Sequence, residues 1–200
     1  MRATLKFAAL ALTASIVPSA APAVVLVYAG IATGGQELPS NGSPGTGAAR
    51  VTYDTDAHTL RVQSSFSGLT GTTTAAHIHV SLTPGANGGV ATQTPTFAGF
   101  PLGVTSGSYD NIFDLTLASS YNPAFITGLG GGTIAGAEAA LAAGLATGRA
   151  YFNLHTTLFP GGEIRANLSA APEPASWAMM IGGLAVAGGA LRTRRRFVFA

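Results

Sequence analysis

The stretch Ala75-Ala76-His77-Ile78-His79-Val80 alternates between apolar and polar side chains, and so does a second stretch, Tyr151-Phe152-Asn153-Leu154-His155-Thr156. A β-strand turns successive side chains to opposite faces of its sheet. One face therefore receives the two histidines of the first stretch, and the other face receives its isoleucine and valine. This period of two predicts two half-buried strands.

The polar members of these strands are candidates for a common site. Asn153 and His155 lie on one face of the second stretch, and Glu163 and Arg165 share a face of the segment that follows one tight turn later. If the apolar side chains are buried in a core, these groups lie on its far side with the histidines of the first stretch. Residues i and i+2 of a strand are about 6.6–6.8 Å apart, so neighbouring imidazoles can reach one ion.

Two interpretations of this polar face are open. The first is a Zn²⁺ or Cu²⁺ site, because three neutral nitrogens and one oxygen suit either ion. Its ligands would be His77, His79 and His155, with Glu163 as a fourth ligand or as a partner of a ligand. The second is a structural network in which the histidines, Glu163, Asn153 and Arg165 satisfy one another by hydrogen bonds. The remaining histidine, His58, is predicted to be a solvated turn residue.

Residues 24 to 169 repeat short alternating stretches, separated by Gly, Pro, Asn and Asp, which favours an all-β domain, a sandwich or a barrel. An alanine-rich segment, 135–145, predicts one short helix, and residues 122–126 predict a further helical turn. The predicted strands are Val25–Ala32, Ala48–Tyr53, Thr59–Ser67, Ala75–Leu82, Val90–Thr94, Ser108–Leu117, Arg149–Thr156 and Glu163–Leu168.

Composition and charge exclude several classes of function. The 200 residues contain no cysteine, which excludes disulfides, thiolate metal sites and cysteine nucleophiles. The net charge of +2 comes from the two ends of the chain, since residues 24–171 contain four basic and seven acidic side chains. A mildly acidic centre gives no support for nucleic-acid binding. Neither a nucleophile elbow nor a phosphate-binding loop occurs, so we expect a protein that is not an enzyme.

The N-terminal segment 1–23 has the order of features of a secretory signal peptide. Arg2 and Lys6 precede an eleven-residue apolar run over 7–17, and Ala21-Pro22-Ala23 supplies a small-x-small cleavage pattern. A buried N-terminal helix is the alternative. The signal peptide predicts that the domain folds outside the cytoplasm after passing the secretion machinery and signal peptidase.

The C-terminal segment 170–200 has three elements in a fixed order. Pro172-Glu173-Pro174 is followed by seventeen uncharged residues over 175–191, at the short end of the length of a membrane helix. A basic cluster then holds that end in the cytoplasm. It consists of Arg192, Arg194, Arg195 and Arg196. A core helix with a solvated basic tail is the alternative.

These three elements together resemble the PEP-CTERM sorting signal of Gram-negative bacteria, although four residues follow the last arginine. The resemblance implies recognition by an exosortase and cleavage near the Pro-Glu-Pro. It also implies export, through the periplasm or inner membrane, to the cell surface, the outer membrane or an extracellular polysaccharide matrix. Exosortase and, before processing, the membrane are therefore expected partners, and exopolysaccharide is a further candidate.

Four motifs of the central region resemble the CHRD domain, named for chordin. They are Gly34-Gly35-Gln36-Glu37-Leu38-Pro39, Ala75-Ala76-His77-Ile78-His79, Tyr151-Phe152-Asn153-Leu154-His155-Thr156 and Pro160-Gly161-Gly162-Glu163-Ile164-Arg165. The resemblance implies an immunoglobulin-like β-sandwich without established catalysis. We therefore expect an all-β domain over 24–169, an immunoglobulin-like or Greek-key sandwich, with a binding or structural role. A metal-binding role through the histidines is the alternative.

The sorting segment generates a first testable prediction. Replacing Pro172, Glu173 and Pro174 together by alanine should leave the domain folded but retained, with its anchor uncleaved, because the rigid tripeptide at the membrane boundary is lost. Immunoblotting of membrane and released fractions checks this. Release of a normally sized product would contradict exosortase processing.

Overall fold

A computed structural model describes residues 24–171 and Leu184. Two short 3₁₀ turns lie at Gly34–Gln36 and Ala118–Ser120, and the helices are α1 (Pro123–Thr127) and α2 (Ile134–Ala146). The strands are β1 (Val25–Thr33), β2 (Thr46–Asp54), β3 (Thr59–Ser67), β4 (Thr73–Val80), β5 (Gly89–Val90), β6 (Gly107–Asp114), β7 (Ala150–Thr156), β8 (Ile164–Asn167) and β9 (Ser169–Ala170). The alanine-rich helix lies where it was predicted. Of the strand expected over 90–94, only Val90 lies in a strand, β5.

All nine strands of the described region belong to one antiparallel sheet in the order β5-β4-β7-β8-β1-β2-β3-β6, with β9 paired to β1. The prediction of an all-β fold is therefore confirmed. The finer assignment to an immunoglobulin-like or Greek-key sandwich stays a prediction, because the described strands form a single continuous sheet and not two separate ones.

The segments predicted at the two ends of the chain lie largely outside the residues that the structure describes. Within the described residues, no helix has the length and apolar character needed to cross a membrane. The signal peptide over 1–23, the Pro-Glu-Pro tripeptide and the arginine cluster lie outside the described residues. So does the predicted membrane helix over 175–191, apart from Leu184.

Alternation along the strands builds one hydrophobic core. In β3, Leu60, Val62, Ser64 and Phe66 are buried, while the alternate residues Arg61, Gln63 and Ser65 are not. Ile78 of β4 and Phe152 of β7 join the same core from the other half of the sheet. The core thus connects both halves of the sheet, and it fixes which face of β4 and β7 remains for polar residues.

Helix α2 covers the sheet next to the histidine-bearing strand. It begins after Thr133, whose hydroxyl accepts a hydrogen bond from the Gly136 amide at 3.0 Å. Leu141 is buried in the core. At Gly144 the helix approaches β4 so closely that an added Cβ would lie 2.8 Å from a methyl group of Val80. The absence of a side chain at Gly144 therefore sets the distance between α2 and β4.

His58 has a partner that the sequence did not reveal. Its side chain is half exposed at the β2–β3 turn, and its Nδ1 lies 2.9 and 3.0 Å from the two carboxylate oxygens of Glu138 in α2. The hydrogen bond and the charge of Glu138 raise the pKa of His58. Tyr53 also donates to Glu138, at 2.9 Å. His58 therefore connects the hairpin turn to the helix and is not simply solvated.

The close approach of α2 predicts a coupled pair of substitutions. Gly144→Ala should destabilise the fold by roughly 1–2 kcal/mol, because the overpacking against Val80 exceeds the gain in helix propensity. Val80→Ala makes room for the new methyl group, so the cost of Gly144→Ala should fall in that background. Urea unfolding of the four proteins measures this coupling. An equal effect of Gly144→Ala in both backgrounds would contradict the packing described.

Candidate metal centre

The pairing of β4 with β7 and of β7 with β8 gathers the polar residues on one face. His77 lies opposite Asn153, which lies opposite Arg165 on the next strand. His79 lies opposite Tyr151. The apolar residues between them, such as Ile78, are buried on the other face. The predicted common face is therefore present, and it brings His155 beside His77.

Three histidines form a compact group on this face. The ring centroids of His77 and His155 are 5.3 Å apart, those of His77 and His79 are 5.8 Å apart, and those of His79 and His155 are 5.7 Å apart. One nitrogen from each ring lies within 4.8 Å of one nitrogen from each of the others. A single transition-metal ion, which binds imidazole nitrogen at about 2.0–2.1 Å, can bridge such distances after a small rearrangement.

Each of the three rings is held by a backbone carbonyl. His77 Nε2 lies 2.8 Å from the Pro95 oxygen, His79 Nδ1 lies 2.9 Å from the Gly88 oxygen, and His155 Nδ1 lies 3.0 Å from the Pro160 oxygen. A carbonyl can only accept, so these three nitrogens carry the hydrogen. In a neutral ring the lone pair then belongs to the other nitrogen.

The other nitrogens have no partner in the described structure. His77 Nδ1, His79 Nε2 and His155 Nε2 are all buried and make no hydrogen bond. Buried polar atoms are normally satisfied, so three unpartnered lone pairs in one group require an explanation. Metal-binding histidines commonly donate their second nitrogen to a carbonyl, which fixes the ring for coordination. The arrangement has this pattern three times.

Burial also keeps the rings in the form that binds metal. It lowers the pKa of His77 to about 4, helped by His155 and opposed by the bond to Pro95. It lowers the pKa of His79 to about 4 as well, and it lowers the pKa of His155. The three imidazoles are therefore neutral at pH 7, as coordination requires.

The structure does not bring Glu163 into the histidine group. Its carboxylate accepts hydrogen bonds from the backbone amides of Thr70 and Gly71, at 2.5 and 3.1 Å, and from the hydroxyls of Ser43 and Thr156, at 2.6 and 2.7 Å. Burial raises the pKa of Glu163, but these four bonds outweigh it and lower the pKa below its usual value. The carboxylate is therefore occupied by four donors, and we do not count it among the ligands.

Arg165 holds a loop and makes no hydrogen bond to the histidines within the described residues, although its charge helps to lower the pKa of His79. Its guanidinium carbon lies 3.5 Å from the centre of the Tyr151 ring, a cation–π contact. It donates to the side chains of Asn167 and Asn87 at 2.9 and 3.0 Å and to the Ala86 carbonyl at 2.9 Å. The expected network joining the histidines, Glu163 and Arg165 is thus divided into separate sets of contacts. In the described region the histidine rings bond to backbone carbonyls instead.

Sequence reasoning assigned no role to Glu37, which is buried beside Asn153. Asn153 Nδ2 donates to Glu37 Oε2 at 3.3 Å. Burial raises the pKa of Glu37 to about 7, although the bond from Asn153 and the charge of Arg165 lower it. The only signal in the sequence was its place in the Gly34–Pro39 motif, since no periodic pattern surrounds it.

Comparison with known proteins gives two matches. The CHRD domain model matches residues 28–168, and the PEP-CTERM protein-sorting motif matches residues 170–196. The first match contains every residue of the histidine group. No curated protein and no solved structure matches the chain.

The lowered pKa values predict a pH dependence of the metal-free protein. Between pH 6.5 and about 4 the unfolded chain binds protons at His77 that the folded chain does not, so folding stability falls as the pH falls through this window. The slope should be about 1.4 kcal/mol per pH unit for each such proton, and His77→Ala should reduce it accordingly.

Denaturant unfolding with chelator at several pH values tests this prediction. His58→Ala is the matched control, because the pKa of His58 is raised and its contribution changes above pH 6.5. Below pH 6.5 that variant should keep the wild-type slope. An unchanged slope in His77→Ala would show that His77 protonates equally in both states.

Proposed function

The chain belongs to the CHRD domain family, and from that premise we propose that it binds a divalent transition-metal ion, Zn²⁺ or Cu²⁺, outside the cytoplasm. Its PEP-CTERM motif marks it as an exported protein that is sorted by an exosortase. The ligands are His77, His79 and His155. The role is binding, at the cell surface or in its matrix, and not catalysis.

One observation carries this proposal. Three buried imidazole nitrogens without partners belong to rings whose ligand atoms lie within 4.8 Å of one another, and each ring is fixed by a carbonyl on its other side. A structural network would place a donor against each lone pair. Within residues 24–171 no such donor is present, so a purely structural role would leave three acceptors unsatisfied at a cost of about 1–3 kcal/mol each.

The donor set also selects the ion. Imidazole nitrogen suits Zn²⁺ and Cu²⁺, whereas Ca²⁺ and Mg²⁺ prefer oxygen ligands. The group of potential ligand atoms in the described region contains three histidines and no carboxylate. Ca²⁺ and Mg²⁺ are therefore suitable negative controls for binding.

A second candidate is a binding or structural module that uses no metal, in the envelope or in contact with matrix polysaccharide. The family resemblance is the reason to keep this candidate, because it implies a binding or structural domain without established catalysis. The two candidates differ in what metal does to stability, which makes them separable by one experiment.

Metal addition should stabilise the folded protein by mass action. At a free ion concentration one hundred times the Kd the gain is about 2.7 kcal/mol, which raises Tm by roughly 5–10 °C for a protein of this size. The purified protein is melted with chelator, with Zn²⁺, with Cu²⁺ and with Ca²⁺. Because His77 and His79 keep a pKa of about 4, the gain should persist at pH 5.5.

Two variants complete the test. His77→Ala should abolish the metal-dependent gain, while His58→Ala, which removes a histidine outside the group, should retain it. Equal melting temperatures with chelator, Zn²⁺ and Cu²⁺ would reject the metal site and favour the second candidate.

A further inference from the structure

The residue opposite His79 on the neighbouring strand is Tyr151, and its ring lies against the imidazole. The two ring centroids are 4.9 Å apart and the ring planes differ by 15°, so the rings are stacked. Strand β7, which carries Tyr151, lies between β4 and β8, which carry His79 and Arg165. The strand order therefore places the tyrosine ring between His79 and Arg165, whose guanidinium carbon is 3.5 Å from the ring centre.

The hydroxyl of Tyr151 bonds to the same residue that fixes the His79 ring. It accepts a hydrogen bond from the Gly88 amide at 3.0 Å and donates one to the Gly88 carbonyl at 3.2 Å. That carbonyl is also the partner of His79 Nδ1, at 2.9 Å. Ring stacking and the two hydroxyl contacts thus hold His79 and its carbonyl partner as one unit.

Gly88 needs such a restraint because of where it lies. A Cβ on this residue would clash with the backbone oxygen of Val80, so only glycine allows the chain to approach β4 so closely. Glycine also has the widest choice of backbone conformations, and its carbonyl keeps one direction only where other groups hold it. The Tyr151 hydroxyl supplies that restraint at the carbonyl that His79 uses.

The position of the hydrogen on His79 depends on this carbonyl. With the hydrogen on Nδ1, the lone pair belongs to Nε2, which is buried and has no partner within the described residues. If the carbonyl turned away, the hydrogen would be free to move to Nε2, and the lone pair would be lost from that nitrogen. Partners of this kind set the tautomer of metal-binding histidines, and their loss lowers metal affinity about 10–100-fold.

We propose that Tyr151 is a positioning residue of the metal site. Its hydroxyl fixes the Gly88 carbonyl, and this carbonyl keeps the lone pair of His79 on Nε2 for the ion. The inference rests on the proposed metal site, and Tyr151 acts on the ion only through His79.

The substitution Tyr151→Phe tests this role, because it keeps the ring and removes only the hydroxyl. The Zn²⁺ affinity of the full chain is measured near neutral pH by competition with a chromophoric chelator. Tyr151→Phe should bind Zn²⁺ about 10–100-fold more weakly than the wild type, although all three histidines remain.

The same substitution at Tyr121 is the matched control. The hydroxyl of this buried tyrosine also donates to a backbone carbonyl, that of Leu115, at 3.0 Å. The three histidine rings bond to other carbonyls, those of Pro95, Gly88 and Pro160. Tyr121→Phe should therefore lose a comparable hydrogen bond and keep the wild-type affinity for Zn²⁺.

A second readout follows the tautomer in the metal-free chain. Long-range ¹H–¹⁵N spectra distinguish a protonated from an unprotonated imidazole nitrogen. In the wild type, His79 should carry its hydrogen on Nδ1. In Tyr151→Phe the His79 signals should shift toward a mixture of both tautomers, while those of His77 and His155 stay unchanged. A tyrosine that only stabilised the fold would not change the tautomer of one histidine alone.

The outcomes separate the two proposals. Equal Zn²⁺ affinity in the wild type and Tyr151→Phe, or an unchanged His79 tautomer in that variant, would overturn the positioning role and leave the metal site standing. Equal losses of affinity in Tyr151→Phe and Tyr121→Phe would do the same. A hydrogen on His79 Nε2 in the wild type would overturn the role without any variant. If the wild type binds no Zn²⁺, the metal site is rejected and this inference fails with it.

Discussion

The antiparallel pairing of β4 with β7 is the constraint on which the rest of the site depends. Its register sets His77 opposite Asn153 and Ile78 opposite Phe152, so one face is polar and the other joins the core. A shift by one residue would turn every side chain of β4 to the opposite face. The histidines would then enter the apolar core and Ile78 would leave it. Burial of apolar residues therefore fixes the positions of the histidines.

Loop carbonyls orient the histidine rings that the strands bring together. Carbonyls of Pro95 and Gly88, in the segment after β4, orient two of the rings, and Pro160, in the turn between β7 and β8, orients the third. Arg165 holds the first of these segments through its bonds to Ala86 and Asn87. Each ring thus keeps an unpartnered lone pair, because a separate part of the chain occupies its other nitrogen. The site depends on tertiary packing as well as on strand alternation.

The alternation of apolar and polar residues allowed the histidine-bearing strands and their common face to be predicted from the sequence. The period of two located β4 and β7 and placed their histidines on one face, and helix propensity located α2. Glu163 was predicted beside the histidines because it shares a face with Arg165, but alternation does not reveal that four donors surround its carboxylate. Glu37 follows a 3₁₀ turn and meets Asn153 across 116 positions of sequence. A local sequence pattern cannot predict a contact between residues that are so far apart in the chain. The pairing order of the strands was equally beyond reach, since it depends on non-local contacts.

The central claim is that three imidazoles coordinate one ion. X-ray absorption at the metal edge of the Zn²⁺- or Cu²⁺-loaded protein tests it most directly, because it reports ligand type, number and distance together. The account predicts three imidazole nitrogens at about 2.0–2.1 Å and one further light-atom ligand. A shell of oxygen atoms with one imidazole or none would contradict it, and would leave the histidines as a structural group.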